Sequence, residues 1–432
     1  MPTKIIKVDY LARVEGEGAL YIKTKGKEVE AVELKIFEPP RFFEAFLRGR
    51  SYEEAPDITA RICGICPVAY QMSAVHAMEQ ALGISLDPEI RKLRRLLYCG
   101  EWIESHVLHI YMLHAPDFLG VSSAMELAKT HKAEVERGLR MKKIGNRIVS
   151  LVGGREIHPI NVRVGGFYQI PKQRDLEALL PELEWARQAS KQTAQWAAGF
   201  TFPDFESEYE FVCLSHPNEY PFNEGQITSS HGLSIPAADF EKHFEEQHVA
   251  HSNALHCVRK GGGAYFTGPM ARFAMNFEKL SDDVRAEAKK IGVGPDCRNP
   301  FRSILIRSLE VMHAYEEAMR IIRSRPNPSE AAPKITPKAG WGAAATEAPR
   351  GLLYHHYKLG DSGLIEEAKI VPPTSQNQKR IEQDLRQFVT KNIAADDEKL
   401  TWQCEQAIRN YDPCISCATH FLKVKWDREE PT

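Results

Sequence analysis

The sequence predicts an α+β fold, mainly helical, with a small β region at its N-terminus. Three observations carry this. Up to about Phe37 the apolar residues alternate or cluster in short runs, as strands do. From Arg41 onward they recur at helical spacing over long stretches. Two cysteine pairs lie at opposite ends of the chain, so a site shared between them requires the whole chain to close on itself as one domain.

Ile5-Ile6-Lys7-Val8, Ala19-Leu20-Tyr21-Ile22 and the alternation from Val29 to Phe37 read as strands, with turns at Gly16 and Gly18. Phe42 to Leu47 is a short helix stopped by Gly49, and Pro67 to Leu82 is a helix ended by Gly83. Asp87-Pro88 supplies a cap and a first-turn proline for a long helix reaching Pro116, whose buried face is Leu93, Leu97, Ile103, Val107 and Ile110. Further helices are expected over 122–150, 175–199, 238–252, 281–291 and 301–324. The stretch 201–235 shows no clear period and reads as irregular. Residues 325–351, with Pro326, Pro328, Pro333, Pro337 and Pro349, read as a long loop or linker. A strand pair near 352–371 and helices at 378–392 and 397–410 follow. One domain therefore spans 1–432, β-rich over 1–40 and mainly helical over 41–420, with 421–432 as an extension.

Apolar residues make up 43% and charged residues 26% of the 432, a globular composition able to build a large core. Lys and Arg number 56 against 58 Asp and Glu, so no basic field exists to hold nucleic acid or an anionic membrane. No apolar run is long enough to span a bilayer and no apolar signal segment follows Met1, which points to the cytoplasm. The nine cysteines are odd in number and sparse, which excludes a disulfide framework. Cys99, Cys213, Cys257, Cys297 and Cys404 read as small buried hydrophobes.

The other four form two C-x-x-C pairs, Cys63 with Cys66 and Cys414 with Cys417. Two thiolates three residues apart at a turn can face one ion, and soft sulfurs select zinc, copper(I), iron–sulfur or nickel over hard cations. Buried thiolates are costly unless a metal neutralises them. Zinc modules place their pairs roughly 12–20 residues apart, whereas 348 residues separate Cys66 from Cys414. Spacing alone leaves a redox or catalytic metal and a structural zinc at even odds. A zinc-stapled structural or interaction subunit of a redox complex is the alternative reading.

The motifs R-I-C-G-I-C-P at 61–67, E-A-P-R-G at 347–351 and D-P-C-I-S-C-A-T-H at 412–420 together resemble the catalytic large subunit of nickel–iron hydrogenases, in the family's order and over essentially the whole chain. The stretch from Ile36 to Ile84 is similar to the cytoplasmic, multisubunit, NAD(P)-linked or sulfhydrogenase-type group. The resemblance implies that fold, with a long-helix bundle core, and reversible heterolytic oxidation of dihydrogen. It implies that Cys63 and Cys414 are terminal ligands of nickel, and that Cys66 and Cys417 bridge nickel to an iron carrying carbon monoxide and cyanide. Glu15, in Arg13-Val14-Glu15-Gly16, resembles the family's carboxylate against the Cys414 sulfur, a relay for the proton released. Without the family it would read as a surface turn glutamate.

Arg350 matches the arginine held over the metal pair, a planar donor that stays charged. Pro373-Thr374 resembles the step whose hydroxyl and amide donate to cyanide, and Asp412 would orient Arg350 or simply cap the turn before Pro413. Glu44 and His420 match ligands of a magnesium (or iron) near the C-terminus; read alone, Glu44 is an exposed helix residue. Tyr70 departs from the family, many of whose members carry histidine there. His76 is no obvious replacement, and His106 and His109 read as packed side chains.

No ferredoxin-like cysteine cluster and no G-x-G-x-x-G after a strand occur in the chain. Electrons must then leave through partners: an iron–sulfur small subunit and, by the same resemblance, diaphorase-type subunits with FAD and iron–sulfur clusters that serve NADP(H) or NAD(H). Sulfur or polysulfide reduction by the complex fits the same group. The family also implies maturation proteins and a processing protease that cuts after the motif histidine. Residues 421–432 are therefore expected to be a cleavable C-terminal extension, attached while the metals are inserted.

Overall fold

The strands Thr3–Val8, Gly18–Lys25 and Glu28–Ile36 form an antiparallel meander in chain order. Leu20 and Ile22 on the middle strand and Leu34 and Ile36 on the third are buried, with half-buried or exposed neighbours between them. Helix Pro373–Asn392 covers this sheet, and its Glu382 carboxylate accepts the Leu34 amide at 2.9 Å. The structure, a computed structural model, describes residues 3–419. His420 and the 421–432 extension lie outside the described residues.

Helix Pro67–Leu82 begins on Pro67 and ends at Gly83, which takes the left-handed conformation at φ +67°. Helix Pro88–Leu108 is capped by Asp87, whose side chain accepts the Glu89 amide, and it runs on through a π-helical turn, His109–His114, to Ala115–Phe118. It packs against helix Lys132–Gly153 too closely for side chains at the crossing. A Cβ at Gly145 would stand 2.8 Å from Ile103 Cγ2, and one at Gly100 2.8 Å from Val149 Cγ2. Leu180–Ala198 and Ser303–Arg323 complete this helical core. Among the described residues no helix is long and apolar enough to cross a membrane.

Beta structure is not confined to the first 40 residues. The region read as irregular carries a sheet of Val212–Ser215, Gln226–Ser229 and Ser234–Ile235. The helix expected over 238–252 is only Phe240–His243, followed by a hairpin of Phe244–Val249 with Ser252–Arg259. Here tertiary packing overrides local preference. Phe244 is buried between Phe240 and Tyr265, and the partner strand buries Ala254, Leu255, Cys257 and Val258. The expected loop at 325–351 ends in a strand, Gly340–Ala348, which joins Gly351–Leu359 and Ile365–Val371 in an antiparallel sheet. That strand lies directly on helix Pro67–Leu82. A Cβ at Gly340 or Gly342 would fall 2.1 Å from the carbonyl oxygen of Ala81 or Ala77.

The helices expected over 122–150 and 175–199 are each broken in two, at His131 and near Ala178. The helix expected from residue 378 starts five residues earlier, on Pro373.

Candidate metal centre

Cys63 and Cys66 lie in the turn between helices Ala55–Ala60 and Pro67–Leu82. Cys414 and Cys417 lie in the segment after helix Asp397–Arg409, which turns at Asp412 with φ +52°. All four side chains are buried, none is in a disulfide, and their sulfurs lie within 4.8 Å of one another. Cys63 Sγ is 3.4 Å from Cys414 Sγ, Cys66 Sγ is 3.8 Å from Cys417 Sγ, and Cys414 Sγ is 2.7 Å from Cys417 Sγ. Hydrogen bonds from the Cys414, Cys417 and Cys66 thiols hold Cys63 well below the usual thiol range. Burial pushes Cys414 and Cys417 up, and Cys66 is raised as well although Cys414 donates to it.

Glu15 reaches the cluster from the N-terminal segment. Its Oε2 accepts from Cys414 Sγ at 3.0 Å and from the Ser416 amide at 3.1 Å, and its carbonyl accepts the Ile415 amide at 2.9 Å. The following glycine is required: at φ +89°, a Cβ on Gly16 would lie 2.7 Å from Ile415 Cβ. Glu15 is thus a half-buried group on a sulfur rather than a free surface glutamate.

Arg350 occupies the two-residue turn between Gly340–Ala348 and Gly351–Leu359. It is buried; its Nε donates to the Asp412 carbonyl at 2.7 Å and its Nη2 to Asp412 Oδ1 at 3.1 Å. Nη1 has no hydrogen-bond partner among the described residues. Thr374 Oγ1 accepts the Cys414 amide at 3.0 Å, and Pro373 opens the helix that carries it. Glu44 is buried, contrary to the exposed reading, and its Oε1 accepts the Ile370 amide at 2.9 Å. Its proposed partner His420 lies outside the described residues. The Arg41 amide donates to the Thr419 carbonyl at 2.6 Å, which brings the chain immediately before His420 beside the helix Phe43–Leu47. The Tyr70 hydroxyl is buried beside the Cys417 sulfur, with no hydrogen-bond partner of good geometry among the described residues, and burial together with the Cys417, Cys66 and Cys414 sulfurs keeps it protonated. His106 and His109 are packed side chains, bonded to Glu310 at 2.9 Å and to the Arg409 carbonyl at 2.8 Å.

Sequence reasoning missed the side chains that hold these pieces in place. Arg13, in the same motif as Glu15, bonds the Leu113 carbonyl and Asp117, and Asp117 also binds Arg409 just before the Cys414 turn. Arg41 bonds the Ile62 and Ser416 carbonyls, one beside each cysteine pair. Glu101 accepts the Val68 and Ala69 amides at the start of the helix that follows Cys66. Arg272 holds the Arg350 turn through the Ala348 and Pro349 carbonyls, each at 2.9 Å, and pairs with Glu347 and Glu310. Burial lifts the Glu347 carboxyl to about 7, against the pull of Arg272. Only Arg13 and Glu347 carried a signal, each as the first residue of a motif.

The donor set fits a soft metal centre. Four buried sulfurs face one space, and beside it the Arg350 Nη1 group has no partner among the described residues, which a metal's own ligands could supply. Comparison with known proteins agrees. Residues 41–139 and 304–420 match the family described as nickel-dependent hydrogenase. The chain is 33% identical over 425 residues to sulfhydrogenase 1 subunit alpha of Pyrococcus furiosus, covering 97% of this chain and 98% of that one. It is 31% identical over 427 residues to sulfhydrogenase 2 subunit alpha of the same organism, covering 97% and 100%. A solved NAD+-reducing [NiFe]-hydrogenase in the H2-reduced state superposes with a TM-score of 0.87 at 25% identity, over 96% of this chain and 99% of that one.

Proposed function

The chain belongs to the nickel-dependent hydrogenases as a catalytic nickel–iron large subunit, and on that premise we propose how its residues divide the work of oxidising dihydrogen. The observation that carries the reading is the meeting of Cys63, Cys66, Cys414 and Cys417 in one buried cluster with the Glu15 carboxylate on Cys414 Sγ. When bound, the nickel–iron centre, its iron carrying carbon monoxide and cyanide, supplies the site at which dihydrogen is split heterolytically. Cys63, Cys66, Cys414 and Cys417 would hold that centre, Cys63 and Cys414 as ligands of nickel and Cys66 and Cys417 as ligands shared with iron. Glu15 takes up the proton at Oε2 from Cys414 Sγ, 3.0 Å away, and being half-buried it can pass that proton towards water. Arg350, its plane fixed by Asp412, would offer Nη1 to the cyanide ligands. The Thr374 hydroxyl, having accepted the Cys414 amide, keeps its own proton to donate. Glu44, with His420, would hold magnesium or iron.

Electrons leave to an iron–sulfur small subunit. The exposed apolar side chain of Ile157, against the Gly64 position between Cys63 and Cys66, and nearby exposed Ile160 and Tyr168 support such a covered face. Diaphorase-type subunits with FAD and iron–sulfur clusters then serve NADP(H) or NAD(H), a reading supported by the NAD+-reducing neighbour. The sulfhydrogenase relatives support sulfur or polysulfide reduction by the assembled complex, which we place in the cytoplasm. Metal analysis and infrared spectroscopy of the purified protein test this. Nickel and iron in equal amounts with bands of metal-bound carbon monoxide and cyanide are expected; stoichiometric zinc alone would reject it.

A further inference from the structure

Away from the cysteine cluster, a second set of ligand-type side chains converges. His251 stands in the turn between strands Phe244–Val249 and Ser252–Arg259, His256 on the second strand, and Glu382 on helix Pro373–Asn392. One ligand atom from each lies within 4.8 Å of the other two. His251 Nε2 is 2.7 Å from Glu382 Oε1, and the two imidazoles meet nearly edge to face at 5.7 Å between centroids. His256 is only 3% exposed, yet its Nε2 has no hydrogen-bond partner among the described residues. A buried imidazole nitrogen without a partner is costly, so it calls for a ligand.

We propose that His251, His256 and Glu382 form a binding site for a divalent transition-metal ion of the zinc class. Two imidazoles and a carboxylate are a donor set that suits zinc, with a fourth position left for water, and imidazole nitrogens disfavour magnesium and calcium. Zinc takes such donors at about 2.0–2.2 Å, so ligand atoms less than 5 Å apart need only small side-chain rotations to close on one ion. Among the described residues no lysine or arginine is paired with Glu382. Lys379 is engaged by the Gly262 carbonyl at 2.6 Å, and Lys35 is paired with Glu33 at 2.9 Å. The comparison with His216, Glu219 and Glu224 is instructive, because there Arg91 sits on both carboxylates and supplies the positive charge.

The ion would join three separate pieces of the fold. The hairpin brings two ligands, helix Pro373–Asn392 the third, and the same Glu382 oxygen holds the Leu34 amide of the N-terminal sheet. Glu382 lies eight residues along its helix from Thr374, about 12 Å by helical rise. The ion thus clasps the helix whose first turn holds the Cys414 amide, while remaining apart from the reacting centre.

The test uses nickel-loaded holoenzyme, titrated with zinc chloride, with zinc per chain counted after gel filtration and thermal midpoints recorded with and without the ion. Wild type is expected to retain one zinc more than His251→Gln, His256→Gln and Glu382→Gln, and zinc is expected to raise its midpoint but not theirs. Zinc affinity in each variant should fall at least about tenfold. His251 is half-buried and glutamine can still donate to Glu382, so His251→Gln should fold and keep dihydrogen oxidation within twofold of wild type. Equal zinc retention in wild type and His251→Gln, or none in either, overturns the proposal.

Discussion

Glu15 touches the cluster through one carboxylate oxygen, and that oxygen is shared between a thiol and the Ser416 amide. Replacing it by glutamine keeps an acceptor for the amide but removes the base. Glu15→Gln is therefore expected to retain nickel and lose dihydrogen oxidation and hydrogen–deuterium exchange by about 10²–10⁴-fold; exchange at the wild-type rate would show that the proton leaves by another group. Cys63→Ser or Cys414→Ser exchanges a soft thiolate for a harder donor, and nickel should be absent from the purified variant by elemental analysis. At this scale the sequence was readable where residues sit in short motifs around a reactive atom, as Cys63, Glu15 and Arg350 do. It was silent on Arg41 and Glu101, whose partners are backbone groups of segments distant in the chain, and no spacing announces such a bond.

Elements raise a different question, that of how a two-residue turn is held still over a metal site. Arg272 does this for Arg350 by bonding two carbonyls of the turn while neutralising Glu347 and Glu310. Lysine cannot span four acceptors, so Arg272→Lys should cost about 3–5 kcal/mol, as breaking a buried ion pair does. In a chain of this size that is about 3–5 °C in thermal midpoint, with activity falling alongside; an unchanged midpoint would argue that the turn holds itself. Glu104, buried on helix Pro88–Leu108, gives a pH test. Burial lifts its carboxyl from 4.5 to about 8. In the unfolded chain it ionises from its ordinary value, so the stability due to its neutral form is full at acid pH and is lost as pH rises towards 8. Glu104→Gln should match wild type near pH 4 and exceed it by a few kcal/mol near pH 8, read as a shift in thermal midpoint; parallel pH profiles for the two proteins would reject the assignment. Elements with strong end signals, such as Pro67–Leu82 with its proline and glycine, were legible in the sequence. The strand Gly340–Ala348 was not, because its Gly and Ala residues serve close approach to a helix and so imitate a loop. The hairpin at 244–259 was missed for the opposite reason, since polar residues on its first strand carry no β signal and only the packing of Phe244 selects it.

Over the whole molecule, the site is a closure. The Cys63 turn, the Glu15 segment and the Cys414 turn come from positions 351 and 399 residues apart, yet Glu15 and Cys414 form a strand-like bridge. The central contact of the helical core lies elsewhere, where Gly100 and Gly145 let two helices approach, and the core reaches the closing segment through Ser303 and Arg307, which donate to the Asn410 carbonyl. Without metal, the closing segment is held by hydrogen bonds such as Ile415 to Glu15 and Arg41 to Thr419, with buried thiols between. Metal–sulfur bonds would convert this into a covalent-strength tie joining the chain's two ends. Because ligand binding adds its free energy only to the states that hold the ligand, the opening of these segments should respond to metal far more than the core does. A Cys66→Ser variant purified without nickel is therefore expected to exchange backbone amides faster than the loaded protein over 11–18, 61–66 and 410–417, by about tenfold or more for each 1.4 kcal/mol of local stability lost. Helices Pro88–Leu108, Lys132–Gly153 and Ser303–Arg323 should exchange alike in both forms. Hydrogen-exchange mass spectrometry resolves these peptides directly. Faster exchange spread evenly through the helical core would mean that the metal stabilises the fold as a whole, and protection unchanged at the three segments would mean that the protein closes the site unaided.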